Sequence, residues 1–187
     1  MDPKSKSVLL MDKVFQFYES HENYTEILKT IIEQKSVISL RLLDWFVTNH
    51  AKQRNIHYTW RGDLFNVHFG YKNQLKAFSK RLFDPFCRRQ RVYMYTQGGK
   101  ALRWKTDHED PPPDTELLVT TVGQLNFFKW AIENNVISYV LKNHNEIESD
   151  MIERSGVRRG KDDKRRELST PVGGLVTRND IPSVIRW

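Results

Sequence analysis

The sequence predicts an α+β domain over residues 8–154, followed by an extended basic C-terminal tail over residues 155–187. Three observations carry this. Over residues 9–53, apolar residues recur at three- and four-residue steps, the period of helices packed on one face. Two later stretches alternate apolar and polar residues around glycine-containing turns, the signature of β-hairpins. A capping box then opens a long amphipathic helix at Thr121. The result is a helical N-terminal layer, a mainly antiparallel sheet of two β-hairpins, and C-terminal helices packed on it.

Each element has its own warrant. Residues 9–19 place Leu10, Val14, Phe17 and Tyr18 on one helical face, and Ser20-His21-Glu22-Asn23 breaks the run. Asn23 and Glu26 have capping spacing before a stripe of Ile27, Leu28, Ile31 and Ile32. A third helix is expected from Ser39 to about Gln53, with Leu40, Leu43, Val47 and Ala51 inward. The period then becomes two: Ile56, Tyr58 and Trp60, then Phe65, Val67 and Phe69, flank a turn at Arg61-Gly62-Asp63, so residues 56–69 read as a hairpin. On that reading His57 and His68 are cross-strand neighbours. A basic helix is expected over 72–82, with Leu75, Phe78 and Leu82 inward, and Asp84-Pro85 ends it. A second hairpin joins 91–96 to 101–105 through Gln97-Gly98-Gly99-Lys100. Pro111-Pro112-Pro113 stiffens an acidic loop, and 116–120 reads as a fifth strand. Thr121 with Gln124 caps the longest helix, which is expected to break near Asn134-Asn135 before an acidic helical piece at 145–153. Beyond Gly156 no amphipathic period survives, although Ile181-Pro182-Ser183-Val184-Ile185-Arg186-Trp187 is apolar enough to be a docking peptide.

Composition excludes several classes. The chain has 187 residues, 39% hydrophobic and 12% aromatic, so it supports a real core. No apolar run is long enough to cross a bilayer, and the N-terminus shows no secretory signal. The single cysteine, Cys87, forbids an intrachain disulfide and fits a reducing compartment.

The net charge of +7 is zoned. Residues 1–71 carry +1, 72–105 carry +9, 106–153 carry −8, and 154–187 carry +5. Either the +9 and −8 zones neutralise one another within the fold, or the basic zone faces an acidic partner. Lys72, Lys76, Lys80, Arg81, Arg88, Arg89 and Arg91 fall within twenty residues. They are interleaved with Tyr71, Phe78, Phe83, Phe86, Tyr93 and Tyr95. Basic groups track phosphates and exposed aromatics stack on bases, which makes these seven the candidate nucleic-acid-binding set. The competing reading puts the aromatics in the core.

The search for catalysis returns no catalytic residue, no cofactor and no metal site. The histidines His21, His50, His57, His68, His108 and His144 lack paired metal-ligand spacing. Asp107, Glu109 and Asp110 lack the glycine turn of a calcium loop. Gly98-Gly99-Lys100 is flanked by strands on both sides, whereas a phosphate loop opens a helix. Cys87 lies beside Arg88 and Arg89, yet the turn at Phe83-Asp84-Pro85-Phe86 favours a structural, buried thiol. The expectation is therefore a protein that is not an enzyme.

Three blocks carry a resemblance: Leu42-Leu43-Asp44-Trp45-Phe46-Val47-Thr48-Asn49; Tyr71 to Lys80 continuing through Phe83-Asp84-Pro85-Phe86-Cys87-Arg88-Arg89; and Thr121 to Ile132. As a set, over about residues 10–150, they resemble a family of small proteins encoded by nucleocytoplasmic large DNA viruses. The resemblance brings no catalytic motif. It implies a viral origin and a role in the virion. The leading expectation is a minor capsid protein that bridges capsid subunits, its partners being other viral capsid proteins. Its location would be the virion, with host cytoplasm or nucleus during assembly. The tail would supply the contacts, through Arg158, Arg159, Arg165, Arg166, Ile185 and Trp187. The alternative is a nucleic-acid-binding factor in viral transcription or genome packaging, acting through the basic set at 72–91.

Overall fold

The computed structural model describes residues 6–102 and 111–157, with side-chain surroundings for 11–102 and 111–154. The α+β class is as expected. Helix α1 (Lys6–Ser20) buries Met11, Val14, Phe15 and Tyr18. The Tyr18 hydroxyl donates to the Leu125 carbonyl at 2.9 Å, tying the N-terminal layer to the centre of the molecule. Helix α2 (Tyr24–Ile32) buries Thr25, Leu28 and Ile31. Asn23 precedes it, but in a left-handed conformation (φ 72°) with no side-chain cap, so the expected capping box is not formed. A different contact shapes this corner. The Thr25 hydroxyl donates to the Gly99 carbonyl, and a Cβ on Gly99 would lie 3.1 Å from the Asn23 nitrogen.

The predicted third helix is continuous but not uniform. Ser39 accepts the Leu42 N–H at 3.1 Å and opens α3 (Leu40–Trp45). A π-helix (Phe46–His50) follows, and α4 (Ala51–Gln53) closes the segment. Strands β1 (His57–Trp60) and β2 (Asp63–Asn66) pair antiparallel, with His57 opposite Asn66. The hairpin ends three residues before its predicted limit. Asn66 accepts the Phe69 N–H at 2.9 Å and caps helix α5 (Val67–Phe78), so the polar residue that suits a strand end also starts a helix. His68 is therefore helical and is not a neighbour of His57 across a ladder.

The predicted basic helix is split. Ser79 (φ 66°, ψ 159°) lies in backbone space that normally needs glycine, and it separates α5 from the short α6 (Lys80–Phe83). Asp84-Pro85 ends α6 as expected. Strands β3 (Arg91–Gln97), β4 (Lys100–Leu102) and β5 (Glu116–Thr121) form an antiparallel sheet in the order β4-β3-β5. The two hairpins thus belong to separate sheets, a point the sequence leaves open. Val92, Met94, Thr96, Leu118 and Thr120 form the buried face of the larger sheet.

Helix α7 (Val122–Glu133) is the hub. Thr121 accepts the Gln124 N–H at 3.2 Å, as its spacing predicts, while the Gln124 side chain turns to the Thr120 hydroxyl. Leu125, Phe127, Phe128, Trp130 and Ala131 are buried. At its start, a Cβ on Gly123 would lie 2.6 Å from the Asp84 carbonyl oxygen, so only glycine lets α7 approach the turn after α6 this closely. At its end, Tyr58 and Trp60 donate to the Asn134 and Glu133 carbonyls, each at 2.7 Å. The small hairpin thereby satisfies acceptors that a helix C-terminus leaves open. Helices α8 (Val136–Lys142) and α9 (His144–Val157) follow the expected break. Among the described residues no helix is long and apolar enough to cross a membrane.

Candidate functional site

The seven sequence-predicted cations come from four consecutive pieces of structure. Lys72 and Lys76 lie on α5, Lys80 and Arg81 on α6, Arg88 and Arg89 in the loop after Pro85, and Arg91 at the start of β3. All seven are exposed. Packing of α5 on α6 and of α6 on α7 holds the helical members together.

The basic and acidic zones do pack against one another, through β3 with β5 and α6 with α7, but no ion pair joins them among the described residues. The described acids after residue 111 that form ion pairs find partners elsewhere. Glu116 pairs with Lys29, Glu133 with Lys129, and Glu146 with Arg54 at 2.6 Å. Asp150 takes both Arg154 (2.7 Å) and His50 (3.1 Å). Of the seven cations, Lys80 alone has an ion-pair partner among the described residues, Asp84 at 3.9 Å. Of the two alternatives the sequence leaves open, neutralisation of the +9 zone by the −8 zone is not seen between the described charges.

The interleaved aromatics divide. Phe83 is fully buried, Tyr71 is buried, and Phe78 is stacked on Phe83 with ring centres 5.9 Å apart. These belong to the core. Phe86 and Tyr93 are exposed, and Tyr95 is half-buried on the same face of β3 as Tyr93.

A groove of about 540 Å³ opens beside the cations. Thr48 of the π-helix and Lys52 of α4 line one side; His68, Tyr71, Lys72 and Leu75 of α5 and Lys80 of α6 complete it. His68 Nδ1 lies 3.0 Å from the Val47 carbonyl, which only accepts, so Nδ1 carries the proton and Nε2 is left for other contacts. Near the groove, burial and then the neighbouring Asp84 charge push the Asp44 carboxyl up to about 6, against the pull of Lys80. Burial, followed by the charges of Asp44 and Asp84, pushes the Tyr71 phenol up to about 12. Three lysines, Lys52, Lys72 and Lys80, give this concave surface a positively charged lining.

Sequence reasoning missed the parts of this groove that lie far apart in the chain. Lys52 follows Thr48 at helical spacing, but nothing in the sequence pairs that helix with α5. His68 was hidden by its assignment to a strand. A buried cluster was missed as well. Asp150 accepts from Trp45 Nε1 (3.3 Å) and His50, which lie 105 and 100 residues away in the chain, and from Arg154 one turn along its own helix. Burial raises the Asp150 carboxyl, but these three hydrogen bonds, His50 first, outweigh it and hold the group below its ordinary value. The cluster ties α9 to the π-helix. Cys87 is partly exposed rather than buried. Among the described residues no three His, Cys, Asp or Glu side chains are placed to hold a metal ion. Arg158, Arg159, Arg165, Arg166, Ile185 and Trp187 lie outside the described residues.

Residues 2–172 match a family of unknown function (DUF7197). The chain belongs to that family. Among its relatives is the uncharacterised protein L507 of Acanthamoeba polyphaga mimivirus, 36% identical over 176 residues. The alignment covers 91% of this chain and 62% of the mimivirus protein, so the chain spans under two thirds of its relative's length. The expected kinship with proteins of large DNA viruses holds at that level. The family match also runs past Gly156 to residue 172, farther than the three sequence blocks reach. No solved structure matches the chain.

Proposed function

We propose that this protein is a non-enzymatic nucleic-acid-binding factor of a large DNA virus, serving transcription or genome packaging. The observation that supports the reading is the exposed set Lys72, Lys76, Lys80, Arg81, Arg88, Arg89 and Arg91, which meets almost no described acid. Unpaired surface cations gain most from phosphates, because each contact releases a condensed counterion. The lysine-lined groove adds Lys52 to this face. Fluorescence anisotropy with a labelled oligonucleotide across a salt series tests the reading. Affinity should fall steeply with salt, with a log–log slope of about −0.7 to −0.9 per phosphate contacted. Lys76→Glu and Arg89→Glu should each weaken binding and flatten that slope. Salt-independent binding, or binding indifferent to both reversals, would sink it.

A second reading draws on the mimivirus kinship. Here the protein is a minor capsid component of the virion that bridges capsid subunits through Arg158, Arg159, Arg165, Arg166, Ile185 and Trp187. Mass spectrometry of purified particles decides it: high copy number supports the capsid role, and presence only in infected-cell extract removes it.

A further inference from the structure

The larger sheet leaves one face uncovered. Its inner residues are buried beneath the helices, but Tyr93, Leu117 and Val119 are 44%, 52% and 45% exposed. Register places them side by side, with Tyr93 opposite Val119, and Tyr95 between Leu117 on β5 and Leu102 on β4. Arg91 precedes Tyr93 by two positions and so shares its face, and the exposed Arg88 and Arg89 lie just upstream. Outward positions of the three strands carry no acid: they are Arg91, Tyr93, Tyr95, Gln97 and their register partners. Lys100 is occupied by Glu22 at 3.0 Å.

An apolar centre with tyrosine rings, and an arginine edge with no ion pair among the described residues, calls for a partner that is flat and apolar in one part and anionic in another. We infer that this face is a stacking platform for the unpaired bases of a single-stranded nucleic acid, with Tyr93 as the principal stacking ring. A duplex turns its phosphates outward and keeps its base faces stacked inside, so it offers Tyr93 nothing to lie against. A single strand splays its bases, and outward-facing aromatics on an antiparallel sheet stack them. Tyr93 and Tyr95 are about 7 Å apart along β3, which gives each ring its own base. Leu117 and Val119 pack the edges of bases and sugars, while Arg88, Arg89 and Arg91 take the phosphates. This inference rests on the nucleic-acid reading above and narrows it to one substrate class.

The test uses the full chain and a labelled single strand of about twelve nucleotides, with a hairpin duplex for comparison. The wild type should prefer the single strand. Tyr93→Ala should weaken single-strand binding about 5- to 150-fold at unchanged salt slope, and Tyr93→Phe should retain it. Duplex binding should barely respond to either change. Arg89→Glu should weaken both ligands and flatten the slope. If Arg89→Glu weakens binding but Tyr93→Ala does not, the platform is wrong and the basic-face reading stands. If the wild type binds neither ligand, both fail. An acidic peptide that competes for the Tyr93 face while nucleic acid does not would assign it to a protein partner and overturn the inference. Tyr93 is on the surface, so an unchanged thermal unfolding curve separates loss of binding from loss of fold.

Discussion

The region over residues 72–91 and the region over 114–153 carry opposite charge and pack against one another, yet they treat charge in opposite ways. In the acidic region Glu116 and Glu146 pair with Lys29 and Arg54 of the N-terminal layer, Glu133 pairs with Lys129 of its own helix, and Asp150 is buried among three donors. In the basic region the cations point to solvent, and only Lys80 has a described acid within pairing distance. Among the described residues the acids tie elements of the fold together, whereas the bases of 72–91 contribute almost no ion pairs to it. Balanced totals in a sequence therefore say little about neutralisation, because partners are chosen by packing.

The contrast breaks most visibly at Asp150. Asp150→Ala removes the shared acceptor of Trp45, His50 and Arg154 and leaves His50 buried without it. A loss of about 3 kcal/mol is expected, measured by urea unfolding. Asp150→Asn isolates the charge. Because the folded carboxyl titrates below its unfolded value, the stabilisation is present above about pH 4 and disappears as pH falls through the folded value. The Asn variant should lose that acid dependence.

Asp44 runs the other way, since its folded carboxyl sits at about 6. The folded state holds this proton more tightly than the unfolded chain does, so stability from Asp44 is full below about pH 4 and fades as pH rises toward 6. Asp44→Asn should raise stability at neutral pH by about 1 kcal/mol, since Asp44 is only partly buried and solvent screens part of the shift, and should flatten the pH profile over that window. A variant as unstable as wild type at pH 7 would show that Lys80 already compensates the charge.

The smallest effect is expected at the cations themselves. Lys76→Glu should change stability by no more than about 0.5 kcal/mol, because Lys76 has no described ion pair to lose. A large loss would reveal a partner acid and weaken the contrast between the two regions.

Much of the scaffold was legible because its signals are local. Thr121 caps the helix its spacing announces, the third helix starts at Ser39 as expected, the turn at Gly98-Gly99 joins the strands it should, and Asp84-Pro85 stops α6. Misreadings arose where one residue serves two grammars. Asn66 ends a strand and caps a helix, and Ser79 holds a backbone conformation that its chemistry does not advertise. The seven cations were also visible in the sequence, but that six of them have no ion pair among the described residues was not, since it depends on where Glu116, Glu146 and Asp150 go. The groove was least legible, because Lys52 and His68 meet only through the packing of two helices.

The π-helix at Phe46–His50 stores a residue. A π turn holds one residue more than an α turn for the same full rotation, whereas each residue turns a plain α-helix by about 100°. Deleting one residue there would let the wide turn tighten to an α turn and leave the end of the segment facing as before. Ala51 would keep its place in the core, where it is fully buried, and Lys52 its place in the groove wall. This is therefore the point at which the helix can lose a residue without being re-aimed: substitutions within it alter contacts one at a time, while a deletion removes one side chain and keeps the phase of the rest.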